Sequence, residues 1–142
     1  MDKIKVLFIC VHNSARSQMA EAFLKVYGGD RFEVESAGLE PGVINPFVVE
    51  VLKEEGIDIS GKEPVSVMEK YKAGKTYHYV VTVCDRSVEG KCPIFPGVTH
   101  RLNWPFDDPA AVTGTRAEKL AKVRIIRDLI KKKVQEFIDI TK

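Results

Sequence analysis

The stretch Cys10-Val11-His12-Asn13-Ser14-Ala15-Arg16-Ser17 sets a thiol and a guanidinium at the two ends of a short polar loop. The apolar run at residues 4–9 precedes it, and a helical pattern beginning near Ser17 follows. Backbone N–H groups at such a strand-to-helix turn point outward and carry partial positive charge, so a tetrahedral oxyanion such as phosphate is stabilised there. The same field favours a thiolate over a thiol. Arg16 adds a permanently charged planar fork that can grip two oxygens of the anion. The chemistry this spacing implies is nucleophilic attack by Cys10 on an oxyanion bound by Val11, His12, Asn13, Ser14, Ala15, Arg16 and Ser17. A buried structural thiol is the duller reading of Cys10, and a surface ion pair that of Arg16. The pattern that joins them favours the cradle.

The elements that must position this loop are legible in order. Residues 3–10 read as a buried strand, because Ile4, Val6, Leu7, Phe8 and Ile9 are nearly continuous and β-prone. Across residues 17–27, Ala20, Phe23, Leu24 and Tyr27 recur at spacings of three and four, predicting an amphipathic helix stopped by Gly28-Gly29. Residues 31–36 form a second short strand with Phe32 and Val34 alternating, followed by Ala37-Gly38 and a Pro41-Gly42 turn. Asn45 before Pro46 is a helix cap with proline at the first helical position, and Phe47, Val48, Val51 and Leu52 supply the buried stripe as far as Gly56. The signal weakens over residues 57–74, where Val65, Met68 and Tyr71 suit a short helix. A third strand is predicted over residues 76–84 and a fourth over residues 100–104, with loops at 85–97 and 105–113. Leu120, Val123, Ile126, Ile130, Val134 and Phe137 mark one long closing helix over residues 115–140.

Strands alternating with helices predict an α/β fold of three layers, a four-stranded parallel sheet with helices on both faces. Ligands of such sheets bind beyond the carboxyl ends of the strands. Cys10 ends the first strand, Cys84 the third, and Asp107-Asp108 follows the fourth, so a parallel sheet brings all three to one rim.

Composition narrows the function classes. A chain of 142 residues fits one domain, residues 1–142, and can bury roughly 70% of the surface that it exposes unfolded. Lys and Arg number 22 against 20 Asp and Glu, a formal net charge of +2, which argues against a nucleic-acid surface. The densest basic run, Lys131-Lys132-Lys133, lies in the closing helix and reads as a solvated face. The apolar stretch at residues 6–11 is too short for a signal-peptide core and nothing approaches a membrane span, so the expectation is a cytoplasmic protein with no membrane partner. Three cysteines, an odd number, then read as reduced thiols with chemistry and not as a disulfide scaffold.

Cys10 and Arg16 fit a Cys-x5-Arg phosphate loop followed by Ser, and with Asn13 inside it and a late Asp108-Pro109 pair they resemble low-molecular-weight protein tyrosine phosphatases. The match is closer to the arsenate reductases of the thioredoxin-coupled type that share that fold. Asn13-Ser14-Ala15-Arg16-Ser17-Gln18-Met19-Ala20-Glu21, Ser36-Ala37-Gly38, Asn45-Pro46, Cys84, Cys92-Pro93 and Phe106-Asp107-Asp108-Pro109-Ala110 all look like that family's pattern. The resemblance implies that Cys10 attacks arsenate to form a thiol-arsenate adduct while Arg16 and the loop amides hold the remaining oxygens. It implies Ser17 as a hydrogen-bond donor to the thiolate and Asp108 as general acid. Cys84 then attacks Cys10 and releases arsenite, and Cys92 resolves the Cys10–Cys84 disulfide to leave Cys84–Cys92 for thioredoxin. Phosphate and sulfate are the expected competing oxyanions, and the expected form is a monomer with no tightly bound cofactor. Some members hold a potassium ion near the loop. Asn13, Glu21 and Ser36 match its ligands, whereas the position filled there by Asp is Val65 here. Three further departures are His12, where Gly is common, Ala15, where many relatives have another cysteine, and a Cys84-to-Cys92 offset one residue longer than in the members compared.

Other readings compete at several positions. Cys84, at the end of an apolar strand, also suits core packing. A zinc site from Cys84, Cys92 and His100 lacks a common ligand spacing, so no metal site is expected. Asp107 and Asp108 also suit a turn or helix cap, with Asp108 the better acid and Asp107 the structural residue. A tyrosine phosphatase would use Cys10, Arg16 and Asp108 without the other thiols, but Ala110-Ala111 stands where those enzymes usually place aromatics. A non-catalytic thiol redox sensor would use Cys84 and Cys92 and leave Asp108 without a purpose.

Overall fold

The computed structural model describes residues 3–84, 95–98 and 100–141. Four strands, β1 (Ile4–Cys10), β2 (Phe32–Gly38), β3 (Tyr79–Thr82) and β4 (His100–Asn103), form one sheet in the order β2-β1-β3-β4. Every neighbouring pair is parallel. The helices are α1 (Arg16–Gly28), α2 (Pro46–Lys53), α3 (Val67–Lys72) and α4 (Arg116–Ile140). This is the predicted α/β sheet of four parallel strands with helices on both faces.

Strand β1 is buried on both sides, and its side chains alternate between two cores as the pleat requires. Val6, Phe8 and Cys10 enter the larger core with α1, α2 and α4, whereas Leu7 and Ile9 enter a smaller one with Val67, Tyr77, Val80 and Phe95. The closing helix α4 begins at a full capping box, in which Thr115 accepts from the Glu118 amide and the Glu118 carboxylate accepts from the Thr115 amide. It buries Leu120, Val123, Ile130, Val134 and Phe137. The Phe137 ring meets Trp104 and Tyr79 edge-on at centroid distances of 5.5 and 5.0 Å and Phe32 at 5.9 Å, tying α4 to the sheet.

The direction of the chain places the site. From β1 it runs through α1 to β2 on one side, then crosses back to β3 on the other, so the crevice at the carboxyl ends of β1 and β3 is a topological switch point. Cys10 is the last residue of β1 and Cys84 lies two residues past β3. That strand is shorter than the predicted 76–84, because its ladder with β1 runs only from Tyr79 opposite Val6 to Thr82 opposite Ile9. The predicted loop at 105–113 contains a single 3-10 turn, Pro109–Ala111, capped by Asp108. The remaining predicted strands and helices are present, with ends moved by a few residues, and most of the loop predicted at 85–97 lies outside the described residues.

Gly38, the residue of β2 that pairs with Cys10, lies directly under the loop. A Cβ there would sit 2.8 Å from the Asn13 nitrogen, 2.8 Å from the His12 carbonyl carbon and 2.9 Å from the Val11 oxygen, all backbone atoms with little room to yield. Gly38→Ala is therefore expected to displace the loop and weaken phosphate binding by about tenfold or more, because reacting groups tolerate little misplacement. Calorimetric titration with phosphate checks this, and an unchanged affinity would contradict it. Phe137→Ala should cost about 3–5 kcal/mol in urea unfolding, since it opens a cavity among three rings.

Candidate active site

The loop between β1 and α1 has its carbonyls turned outward and bonded. Leu39 N donates to the Cys10 carbonyl at 3.2 Å, Glu40 N to Val11 at 2.8 Å, Gly42 N to His12 at 3.0 Å and Asn45 N to Ser14 at 2.9 Å. The Gln18 amide donates to the Asn13 carbonyl at 3.1 Å and the Met19 N–H to Ala15 at 3.0 Å. Six consecutive carbonyls, Cys10 to Ala15, thus point away from the space above the thiol. The amides of Ser14, Ala15, Arg16 and Ser17 meet no protein acceptor among the described residues. Ala15 at the N-cap offers no side-chain oxygen, and the first turn of α1 has no acidic residue. The start of the helix is left uncapped by the protein, and a bound anion would complete it.

The loop is held by side chains as well as by its neighbours. Asn13 adopts φ +53°, the left-handed conformation that asparagine tolerates better than most residues. Its Oδ1 accepts from Val65 N at 3.0 Å, which fixes the orientation of the amide because a backbone nitrogen only donates. Asn13 Nδ2 then donates to Ser17 Oγ at 2.8 Å and to Ser36 Oγ at 2.9 Å. Cys10 Sγ is 3.0 Å from Ser17 Oγ and accepts from Asn13 N at 3.2 Å. Towards a thiolate, which has no proton to give, Ser17 is the donor. Cys10 and Cys84 are both buried. Cys84 Sγ lies 4.0 Å from the carbonyl oxygen of Ile9, the residue before Cys10.

Arg16 is nine-tenths buried. It donates through Nη1 to the Phe106 carbonyl at 2.9 Å, and its Nη2 lies 3.8 Å from Asp108 Oδ2. Asp108 also caps the 3-10 turn, with Oδ1 accepting from Ala110 N at 2.9 Å. The structural role expected of Asp107 thus falls to Asp108: one of its oxygens holds the turn, and the other approaches Arg16. Cys10, Val11, His12, Ser14, Ala15, Arg16, Asp108 and Ala110 line a cavity of about 110 Å3, with no Phe, Tyr or Trp in its wall among the described residues.

The structure brings together Cys10, Arg16, Ser17, Asp108 and the loop amides. Cys92 lies outside the described residues, and with it any zinc site that uses it. His12 Nδ1 is 2.8 Å from the Glu40 carbonyl, which its N–H form satisfies, and His100 stacks on Tyr79. The supports that sequence reasoning did not find are Gln18, Gly38, the Phe106 carbonyl and Lys62. Only Gly38 carried a signal, as a glycine closing a strand.

The profile of the family described as "Low molecular weight phosphotyrosine protein phosphatase" matches residues 5–142. The chain is 40% identical over 139 residues to an arsenate reductase of Halalkalibacterium halodurans, a match covering 98% of each protein. It is likewise 40% identical over 139 residues to an arsenate reductase of Bacillus subtilis, again over 98% of each. Among solved structures it resembles a thioredoxin-dependent arsenate reductase of Corynebacterium glutamicum, with a TM-score of 0.74 and 33% identity, covering 99% of this chain and 64% of that one. The strand, loop and helix that cradle Cys10 and a similarity running through the closing helix lead to one conclusion: the chain belongs to the low molecular weight phosphotyrosine protein phosphatase family.

Proposed function

We propose that the chain is an arsenate reductase that converts arsenate to arsenite and draws its electrons from thioredoxin. The observation that carries this reading is the cavity above Cys10, where a thiol, a guanidinium and a carboxyl group converge on a space suited to a small tetrahedral anion. Among the described residues its wall has no Phe, Tyr or Trp ring on which a phosphotyrosine could stack. The identity to arsenate reductases over nearly the whole chain supports the same choice.

In the proposed reaction, the uncapped amides and Arg16 hold three arsenate oxygens while the Cys10 sulfur attacks arsenic. A sulfur–arsenic bond forms and an arsenic–oxygen bond breaks, the departing oxygen leaving as water with a proton from Asp108 Oδ2. The Cys84 thiolate then attacks the Cys10 sulfur. A disulfide forms, the sulfur–arsenic bond breaks, and its electron pair reduces As(V) to As(III). Cys92 next attacks Cys84, which frees Cys10 and leaves a Cys84–Cys92 disulfide for thioredoxin to reduce. Two electrons enter arsenic and two thiols become one disulfide.

The protein is proposed to act as a single-domain monomer in the cytoplasm, where arsenate enters as a phosphate mimic and reduced thioredoxin is at hand. Among the described residues, no helix is long and apolar enough to cross a membrane. Phosphate and sulfate would compete at the same cradle.

A coupled assay with thioredoxin, its reductase and NADPH tests this. Arsenate-dependent NADPH oxidation is expected in the unmodified protein and should vanish in Cys10→Ser and Cys84→Ser. Turnover that survives Cys84→Ser would overturn the relay. No arsenate-dependent oxidation, together with ready hydrolysis of an aryl phosphate, would make the protein a phosphatase. Asp108→Asn should lower the rate of adduct formation roughly 10²–10⁴-fold, the usual worth of a positioned general acid, and an unchanged rate would remove Asp108 from the mechanism.

A further inference from the structure

Behind the loop, on the side away from the anion cavity, Glu21 of α1 is 3% exposed. Its carboxylate is the hub of a charged network: Oε2 accepts from Lys62 Nζ at 2.9 Å and also from Lys25 Nζ, and Oε1 accepts from Ser36 Oγ. Burial pushes its pKa up, but the bonds from Lys25, Ser36 and Lys62 outweigh burial and hold it below the usual carboxylate range.

From Glu21 the contacts run without a gap to the nucleophile. Ser36 donates to Glu21 and accepts from Asn13 Nδ2; Asn13 Nδ2 also donates to Ser17, and Ser17 meets Cys10. The residues that match a potassium site in some relatives, Asn13, Glu21 and Ser36, are the members of this chain of bonds. They do not fit the ion here. Both lone pairs of Asn13 Oδ1 are used, by Val65 N and by Gln18 Nε2 at 3.1 Å, and Ser36 Oγ is engaged on both sides. A potassium ion at Glu21 would also sit against two ammonium groups. Where a carboxylate ligand would be needed, Val65 offers only its backbone N–H to Asn13.

We infer that Lys62 is a positioning residue whose ammonium group takes the place of a monovalent cation at Glu21, holding Ser36, Asn13 and Ser17 in the arrangement that keeps Cys10 reactive. The lysine reaches Glu21 from a connection 41 residues away, with its side chain 40% exposed, so its stem is not part of the core. Without it, the cation left on Glu21 among the described residues is Lys25, whose side chain is half-exposed on the same helix. Gln18, whose Oε1 is a buried acceptor with no hydrogen-bond partner, lines the same cavity as Glu21 and Lys62. Glu21 Oε2 and Gln18 Oε1 could then receive a cation that the native lysine keeps out. This inference rests on the proposed reading in so far as Cys10 is the nucleophile, but it does not require arsenate as the substrate.

The test compares the rate of Cys10 alkylation by iodoacetamide at fixed pH, followed by peptide mass spectrometry, in NaCl and in KCl of equal concentration. The unmodified protein should react equally in both salts. Lys62→Met should react about tenfold more slowly in NaCl, the scale typical of lost outer-sphere support, and KCl should restore most of that loss. Lys62→Arg should stay within about twofold of the unmodified protein, since it keeps the charge. Thermal melting of each variant separates unfolding from local displacement. A potassium response in the unmodified protein, an unchanged rate in Lys62→Met, or a loss that KCl does not reverse would each overturn the inference. Failure of arsenate turnover alongside the expected alkylation pattern would overturn the reductase reading alone.

Discussion

The structure depends on how one loop satisfies its backbone. A buried peptide group needs a partner for its carbonyl and for its N–H. Between Cys10 and Ala15 the two demands are separated in space: every carbonyl is bonded on the outside, while the amides from Ser14 to Ser17 are left for an anion. Carbonyl dipoles pointing inward would repel an oxyanion as strongly as the amides attract it. The segment from Leu39 to Asn45, which accompanies the loop and donates to it, is therefore as much a part of the anion site as the loop itself. Its close approach requires Gly38 at the end of β2.

The sheet order supplies the rest. Because β1 lies between β2 and β3, the segments leaving β1 and β3 diverge, with Cys10 at the end of one and Cys84 just past the other. Strand β4 brings the chain to Phe106 and Asp108, whose carbonyl and carboxylate approach Arg16. The arginine is held by these contacts and lines the cavity. A guanidinium held in this way loses little freedom when an anion arrives.

Much of this was legible in the sequence. The nearly continuous apolar run of β1 and the three-to-four spacing in α1 and α4 report burial directly, so those elements are legible along with the Asn45 cap. The members of the cradle were legible too, because Cys10 and Arg16 owe their relation to a short local spacing. What escaped were contacts that local patterns do not encode. The ion pair between Lys62 and Glu21 joins residues 41 apart, and Lys62 stands in a stretch without periodicity. The Phe106 oxygen that anchors Arg16 is a backbone atom, available from any residue type. The end of β3 was placed two residues too far because Val83 and Cys84 are as apolar as the strand before them, and hydrophobicity does not mark where a ladder stops.

The measurement that bears most directly on the account is a single turnover without any partner protein. Fully reduced protein is mixed with one equivalent of arsenate, and the arsenite released, the thiols remaining and the position of any disulfide are determined. The account requires arsenite in proportion to protein, the loss of two thiols per chain, and a disulfide between Cys84 and Cys92 with Cys10 free again. Thiols that stay intact with no arsenite formed would contradict it, and the cradle would then be a site that binds oxyanions without reducing them.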